Sequence, residues 1–229
     1  MLSEERPYEK CERFGAGSLT DIELLAVLLR TGTKGESALD LARKLFYPGE
    51  GTQPQAKAHL QSWTKEELLK ISGIGRVKAI QILCLCELSK RMSQLSARED
   101  LDFSRPDTIA AYYMEDMRYY RQEHLKLLML NTRSRLIGES EISRGTVNMS
   151  VISPRELFIE ALQKNAVYII LLHNHPSGDP TPSPDDLQIT ARIYQAGELL
   201  GIHLLDHIVI GDQRYCSFRE EGLWNTCTE

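Results

Sequence analysis

Two histidines one residue apart, His173 and His175, and an aspartate shortly downstream, Asp186, are the residues of this chain whose types and spacing could do chemistry. Just before them, residues 166–172 read A-V-Y-I-I-L-L, a short apolar run rich in β-branched residues, which predicts a buried strand continuing into the histidines. Alternate side chains of a strand share a face, so both imidazoles project toward one point. The segment P-S-G-D-P-T-P that follows is dense in turn formers, and Ser183-Pro184-Asp185-Asp186 opens a helical pattern running to Leu200. Ser183 suits the N-cap, Pro184 the first helical position and Asp186 the first turn. The loop can therefore fold back and bring a carboxylate to the two imidazoles. Two histidines and one aspartate form a donor set that Zn2+ accepts, one ion per chain, and three protein ligands leave the fourth tetrahedral position for water. An open position points to catalysis rather than scaffolding.

Each half of this pattern is weak alone: an H-x-H pair is commonly chance, and S-P-D-D is an ordinary helix start. Together, the spacing resembles the JAMM motif of the MPN+ metalloproteases, with His173, His175, Ser183 and Asp186 in its places and Pro176 after the second histidine. The resemblance implies an upstream glutamate that orients the attacking water and takes its proton. Glu139 and Glu141, in the strand-like segment G-E-S-E-I-S-R-G-T, are the candidates, and Glu141 is preferred.

Helical patterns fill residues 1–92. Thr20-Asp21 opens an apolar helix ending near Thr31-Gly32, and residues 37–46 form an amphipathic one. Residues 47–61 read as a loop. Thr64 and Glu67 make a capping box, Gly73-Ile74-Gly75 a tight turn, and residues 76–91 a second helix with Val77, Ile80, Leu83 and Leu88 inward. The glycines allow a ligand close to the backbone, and the N–H groups opening the next helix can face an anion. This arrangement resembles the helix-hairpin-helix motif, which implies phosphate contacts from Ser72, Gly73, Gly75, Arg76 and Lys78. A hairpin whose Gly-Ile-Gly serves only packing is the alternative.

Residues 93–106 are polar, lack periodicity and end in proline, and the domain boundary is placed there. Residues 107–229 follow as a second domain. It reads as a helix capped by Asp107 or Thr108, strands near 124–131 and 133–146, a helix from Arg155, the histidine strand, the helix to Leu200 and two closing strands. The fold class is thus α/β (α+β), an all-helical domain followed by helices packed on a mixed sheet. His207, in the strand after the long helix, reads either as a satisfied core histidine or as a group hydrogen-bonded to a metal ligand. His59, His124 and His203 have no partners in sequence.

Of 229 residues 42% are hydrophobic, with a net charge of −5 divided as +2 over residues 1–92 and −7 over the rest, so the N-terminal part is the better suited to a polyanion. No apolar run approaches the roughly 20 residues that span a bilayer, and the first residues are acidic where a signal peptide is apolar. A cytoplasmic protein is expected. Five cysteines, Cys11, Cys84, Cys86, Cys216 and Cys227, are odd in number and lack C-x-x-C spacing, which indicates neither a disulfide framework nor a cysteine zinc site.

Arg6-Pro7, L-T-D-I-E-L-L-A at 19–26, the G-I-G turn, N-T-R at 131–133, R-G-T at 144–146, P-R-E at 154–156, H-N-H-P-S-G with S-P-x-D, and L-D-H at 205–207 together resemble the bacterial RadC family over nearly the whole chain. The resemblance implies an MPN-like, cytidine-deaminase-like sheet domain and the zinc ligands His173, His175 and Asp186. It leaves the activity open. One hypothesis is a zinc-dependent peptidase or isopeptidase, with Ser183 hydrogen-bonding the oxyanion. A second is a DNA-binding accessory module of repair or recombination whose metal site is structural or vestigial. A metal-dependent nuclease is disfavoured, since such sites commonly use two ions and this motif supplies ligands for one.

Overall fold

Short polar residues set three reciprocal caps near the N-terminus: Thr20 with Glu23, Ser37 with Asp40, and Thr64 with Glu67 exchange side-chain and backbone hydrogen bonds. In the computed structural model, which describes residues 6–33, 35–48, 60–99, 101–145 and 152–223, these caps open helices α2 (Asp21–Leu29), α3 (Ala38–Phe46) and α4 (Lys65–Lys70). Helix α1 (Pro7–Phe14) precedes them and α5 (Arg76–Glu99) follows. Most of the loop expected over 47–61 lies outside the described residues, as do His59 and Cys227. The chain divides into two units, Met1–Ser89 and Lys90–Glu229. In the first, Leu25 and Leu29 of α2, Leu41 and Leu45 of α3, Leu68 of α4 and Ala79 and Ile82 of α5 close one apolar core around Ile74 of the α4–α5 turn.

Helix α5 departs from the sequence reading in two ways. Its inward stripe is Ala79, Ile82, Leu83 and Cys86, whereas Val77, Ile80 and Leu88 are exposed. The helix carries more apolar residues than one stripe holds, and the set containing the small Ala79 is the one that packs. It also continues to Glu99, through residues expected to form an irregular linker. Gln94, Leu95, Ala97, Arg98 and Glu99 are good helix formers, and neither Pro nor Gly intervenes before Pro106.

In the second unit, strands β1 (His124–Leu130), β2 (Leu136–Arg144), β3 (Tyr168–Asn174), β4 (His203–Ile210) and β5 (Tyr215–Ser217) form one mixed sheet in the order β2-β1-β3-β4-β5. Only the β3–β4 pairing is parallel. Helices α7 (Pro154–Gln163) and α8 (Pro184–Leu200) pack on one face and α6 (Pro106–Met117) on the other. Arg105, rather than Asp107 or Thr108, is the N-cap of α6, because the Thr108 hydroxyl is bonded back to the N–H and carbonyl of Asp102. Strand β3 is buried on both faces: Ile169 and Leu171 pack with Phe158, Ile189 and Ile193, and Ile170 and Leu172 with Ile109, Tyr113 and Met117. This double burial is why it reads as an unbroken apolar run. The odd-numbered row carries His173 onto the α8 side.

Strand β4 contains a bulge: Ile169 pairs with Leu204 but Ile170 with Asp206, leaving Leu205 as the extra residue. The side-chain alternation is reset there, so that Leu204 packs in the α7–α8 core and His207, three residues on, also turns toward α8. Among the described residues no helix is long and apolar enough to cross a membrane.

Candidate metal centre

Strand β3 ends at Asn174, leaving His173 wholly buried and His175 one step beyond, its N–H bonded to the Ile210 carbonyl at 2.9 Å. Ser183 caps α8 and Asp186 sits in the first turn of that helix. His173 Nε2 and His175 Nε2 are 3.0 Å apart. Asp186 reaches both, Oδ1 at 3.3 Å from His173 Nε2 and Oδ2 at 3.3 Å from His175 Nε2. Ligand atoms of the three residues all lie within 4.8 Å of one another.

Each donor is oriented from behind. His175 Nδ1 lies 2.8 Å from the Asp179 carbonyl, which can only accept, so the ring proton is on Nδ1 and Nε2 presents a lone pair. His173 Nδ1 lies 2.8 Å from His207 Nε2. Asp186 Oδ2 accepts from the Ser183 hydroxyl and N–H, both at 2.7 Å, while Oδ1 is buried with no hydrogen bond. Burial alone would raise the Asp186 carboxyl, but the imidazoles of His173 and His175 outweigh it and hold the group far below the usual carboxylate range. The Asp186 carboxylate beside it in turn raises His175 against the opposing effect of its burial. A buried carboxylate with one oxygen free of hydrogen bonds, set against two ring nitrogens, suits a cation, and the group could hold a metal ion.

Residues 103–223 match the model of the RadC-like JAB domain, and residues 1–80 that of the UPF0758 N-terminal family. This chain belongs to the RadC family. Relatives include a UPF0758 protein of Bacillus licheniformis, 46% identical over 96% of both chains. A UPF0758 protein of Clostridium botulinum is 47% identical over 95% of this chain and 93% of its own, and one of Bacillus velezensis 45% over 95% and 92%. The five-stranded mixed sheet with its flanking helices agrees with a JAB/MPN-like domain.

In this RadC chain the two carboxylates that the sequence offers for the water's proton lie away from the histidines. Glu139 and Glu141 are on β2, separated from β3 by the whole of β1, about 10 Å of sheet. Glu139 accepts from the Tyr113 hydroxyl and from Lys126 Nζ, both at 2.8 Å. Glu141 lies 3.4 Å from His124 Nδ1 and lines a different cavity, with Ile142 and Glu156. A third carboxylate, Glu123, shares a cavity with His175, Ser177 and Ser183 and is among the charges that raise His175. It stands one residue before β1, where Leu125 pairs with His173, so the antiparallel register runs Glu123 toward His175. Sequence reasoning missed it. The available signal was its place at the start of the strand that neighbours the histidine strand.

The RadC hairpin residues are engaged unequally. Gly73 has φ +94°, and a Cβ there would lie 2.8 Å from Thr33 Cγ2. Lys78 Nζ donates to the carbonyl of Thr31 at 2.5 Å and approaches those of Gly32 and Gly73 at 3.5 and 3.4 Å, which ties the turn to its own unit. Ser72, Gly75 and Arg76 are exposed.

Proposed function

We propose that this chain is a zinc-dependent hydrolase of amide bonds, a metallopeptidase or isopeptidase, held to one ion by His173, His175 and Asp186. The observation that carries the reading is the convergence of two imidazole Nε2 atoms on a buried carboxylate at the edge of a cavity that also holds Glu123. Zinc, when bound, would polarise a carbonyl and acidify water. Glu123, rather than Glu141, takes the proton of the attacking water and passes it to the leaving amine. Ser183 holds the ligand Asp186 first: its one hydroxyl proton goes to Oδ2, and it can turn to an oxyanion only by giving up that bond. A peptide or a lysine isopeptide is the substrate class that this reading assigns to the cavity beside His175.

The test is zinc content and hydrolysis of peptide and isopeptide panels by wild type, His173→Ala, Glu123→Gln and Glu141→Gln. The expected result is about one zinc per chain, lost in His173→Ala. Glu123→Gln keeps the zinc and loses activity by about 10²-fold or more, while Glu141→Gln stays near wild type. A wild type without zinc overturns the metal reading, and full turnover by Glu123→Gln overturns the assignment of the base.

A second reading, DNA binding by the N-terminal unit, is favoured by one observation: Ser72, Gly75 and Arg76 present an exposed backbone and a cation where α5 begins. Affinity for duplex DNA that falls steeply with salt, and falls further in Arg76→Ala, would support it. Affinity independent of both would sink it.

A further inference from the structure

Behind His173 runs a chain of buried polar groups whose hydrogen-bond directions follow from their chemistry. Thr190 Oγ1 lies 2.6 Å from the Asp186 carbonyl and 2.5 Å from His207 Nδ1. A carbonyl can only accept and a hydroxyl has one proton, so that proton points at Asp186 O. The hydroxyl oxygen is then the acceptor, and His207 must carry its proton on Nδ1. The His207 ring is wholly buried and stacks on Phe218 at 4.7 Å, with no carboxylate bonded to it, so a second proton would place an unpaired charge in the core. Its Nε2 is therefore bare and accepts from His173 Nδ1–H across 2.8 Å. His173 is left with a lone pair on Nε2, the atom that faces His175 and Asp186.

We propose that Thr190 and His207 are positioning residues, a proton relay frozen in one direction that fixes the tautomer in which His173 can bind a metal. The inference rests on the metal-site reading and deepens it. The relay starts on the backbone carbonyl of one ligand, Asp186, and ends on the side chain of another, so α8 and β3 are set relative to each other by the same bonds that orient the donors. The bulge in β4 makes this possible by turning His207 toward α8. Asp186, Thr190, His207 and His173 are all buried, which keeps water from offering the ring nitrogens other partners. With the relay reversed, His207 would place its proton on Nε2, His173 would have to place its own on Nε2, and that proton would occupy the metal position.

The first measurement is nitrogen–proton NMR of the zinc-free full chain with labelled histidine rings. His173 protonated on Nδ1 is expected; a proton on Nε2 overturns the relay without any variant being needed. The second compares Thr190→Val, which keeps the side-chain shape and removes the acceptor, with Thr190→Ser, which restores it. Thr190→Val should move the His207 proton to Nε2, switch the His173 tautomer and weaken zinc binding by about 10- to 100-fold, as measured against a chromophoric chelator. Thr190→Ser should recover both readouts. Thermal melts of the two variants check that the fold is kept. If zinc binds Thr190→Val as tightly as wild type, with His173 still protonated on Nδ1, the relay fails and the metal site stands. If wild type takes up no zinc but shows the expected tautomer, the metal reading fails and the relay stands.

Discussion

The N–H of Asp212 donates to the carbonyl of Gly178 at 2.9 Å, so the loop that carries His175 is hydrogen-bonded to the turn between β4 and β5. The approach is close because Gly211, beside Asp212, has no side chain. A Cβ there would lie 2.5 Å from Gly178 O and 2.8 Å from Pro180 Cδ. Asp179, next in the loop, provides the carbonyl that orients the His175 ring. Gly211→Ala should push the loop outward, lowering zinc affinity by about 10-fold or more and stability by about 1 to 3 kcal/mol. A chelator competition and a thermal melt read the two effects. Unchanged zinc affinity would show that the loop adapts without moving His175.

The two glycines of the α4–α5 turn should separate when each is made alanine. Gly73 has a left-handed φ and no room for a Cβ, whereas Gly75 would meet nothing within 4 Å. Gly73→Ala is expected to destabilise the N-terminal unit by about 1 to 3 kcal/mol, and Gly75→Ala by much less. Lys78→Ala should also weaken the fold, since its ammonium bonds to backbone carbonyls of the same unit. Any DNA affinity lost in Gly73 or Lys78 variants is therefore ambiguous. Gly75 and Arg76 are the positions where DNA binding can be tested without disturbing the core. Equal melting temperatures for Gly73→Ala and Gly75→Ala would contradict this division.

These contrasts show what a sequence can and cannot carry. Helix α8 is legible to the residue because Ser183, Pro184 and Asp186 occupy positions that a helix start strongly prefers, and β3 because burial on both faces makes its apolar run continuous. The three metal-site residues come together for the same local reasons. Glu123 is not legible in that way: its relation to His175 depends on β1 lying beside β3, a pairing between segments far apart in sequence. Glu141, the carboxylate that the sequence favours, stands on β2, which pairs with β1 and not with β3. The orientation of His207 depends on a single extra residue in β4, and no alternation pattern in the sequence announces a bulge. The inward stripe of α5 was ambiguous because apolar residues lie on more than one side of that helix.

Asp206 supports the bulge from within and should leave a signature in the pH dependence of stability. Its Oδ1 accepts from the N–H groups of His207 and Arg219 at 2.8 and 3.1 Å, and its Oδ2 from the Ser217 hydroxyl at 2.6 Å. Burial raises its carboxyl above the ordinary value, and these three donors only partly offset the effect. Because the folded state binds the proton more tightly than the unfolded chain, the contribution of Asp206 is fully present below the unfolded value of about 4 and is lost as pH rises through the raised folded value. Asp206→Asn retains an oxygen for the two N–H groups and can donate to Ser217, whose hydroxyl oxygen has a free lone pair to accept it. Its stability should therefore lack that slope, and it should match or exceed wild type at neutral pH. Asp206→Ala, which leaves three donors without that acceptor, should cost about 2 to 3 kcal/mol at low pH and less as pH rises through the raised folded value. Urea denaturation of the three proteins from about pH 4 to pH 8 measures the differences. If wild type instead gains stability relative to Asp206→Asn as pH rises, the buried carboxylate is stabilised by its donors more than it is penalised by burial, and the assigned direction of its shift is wrong.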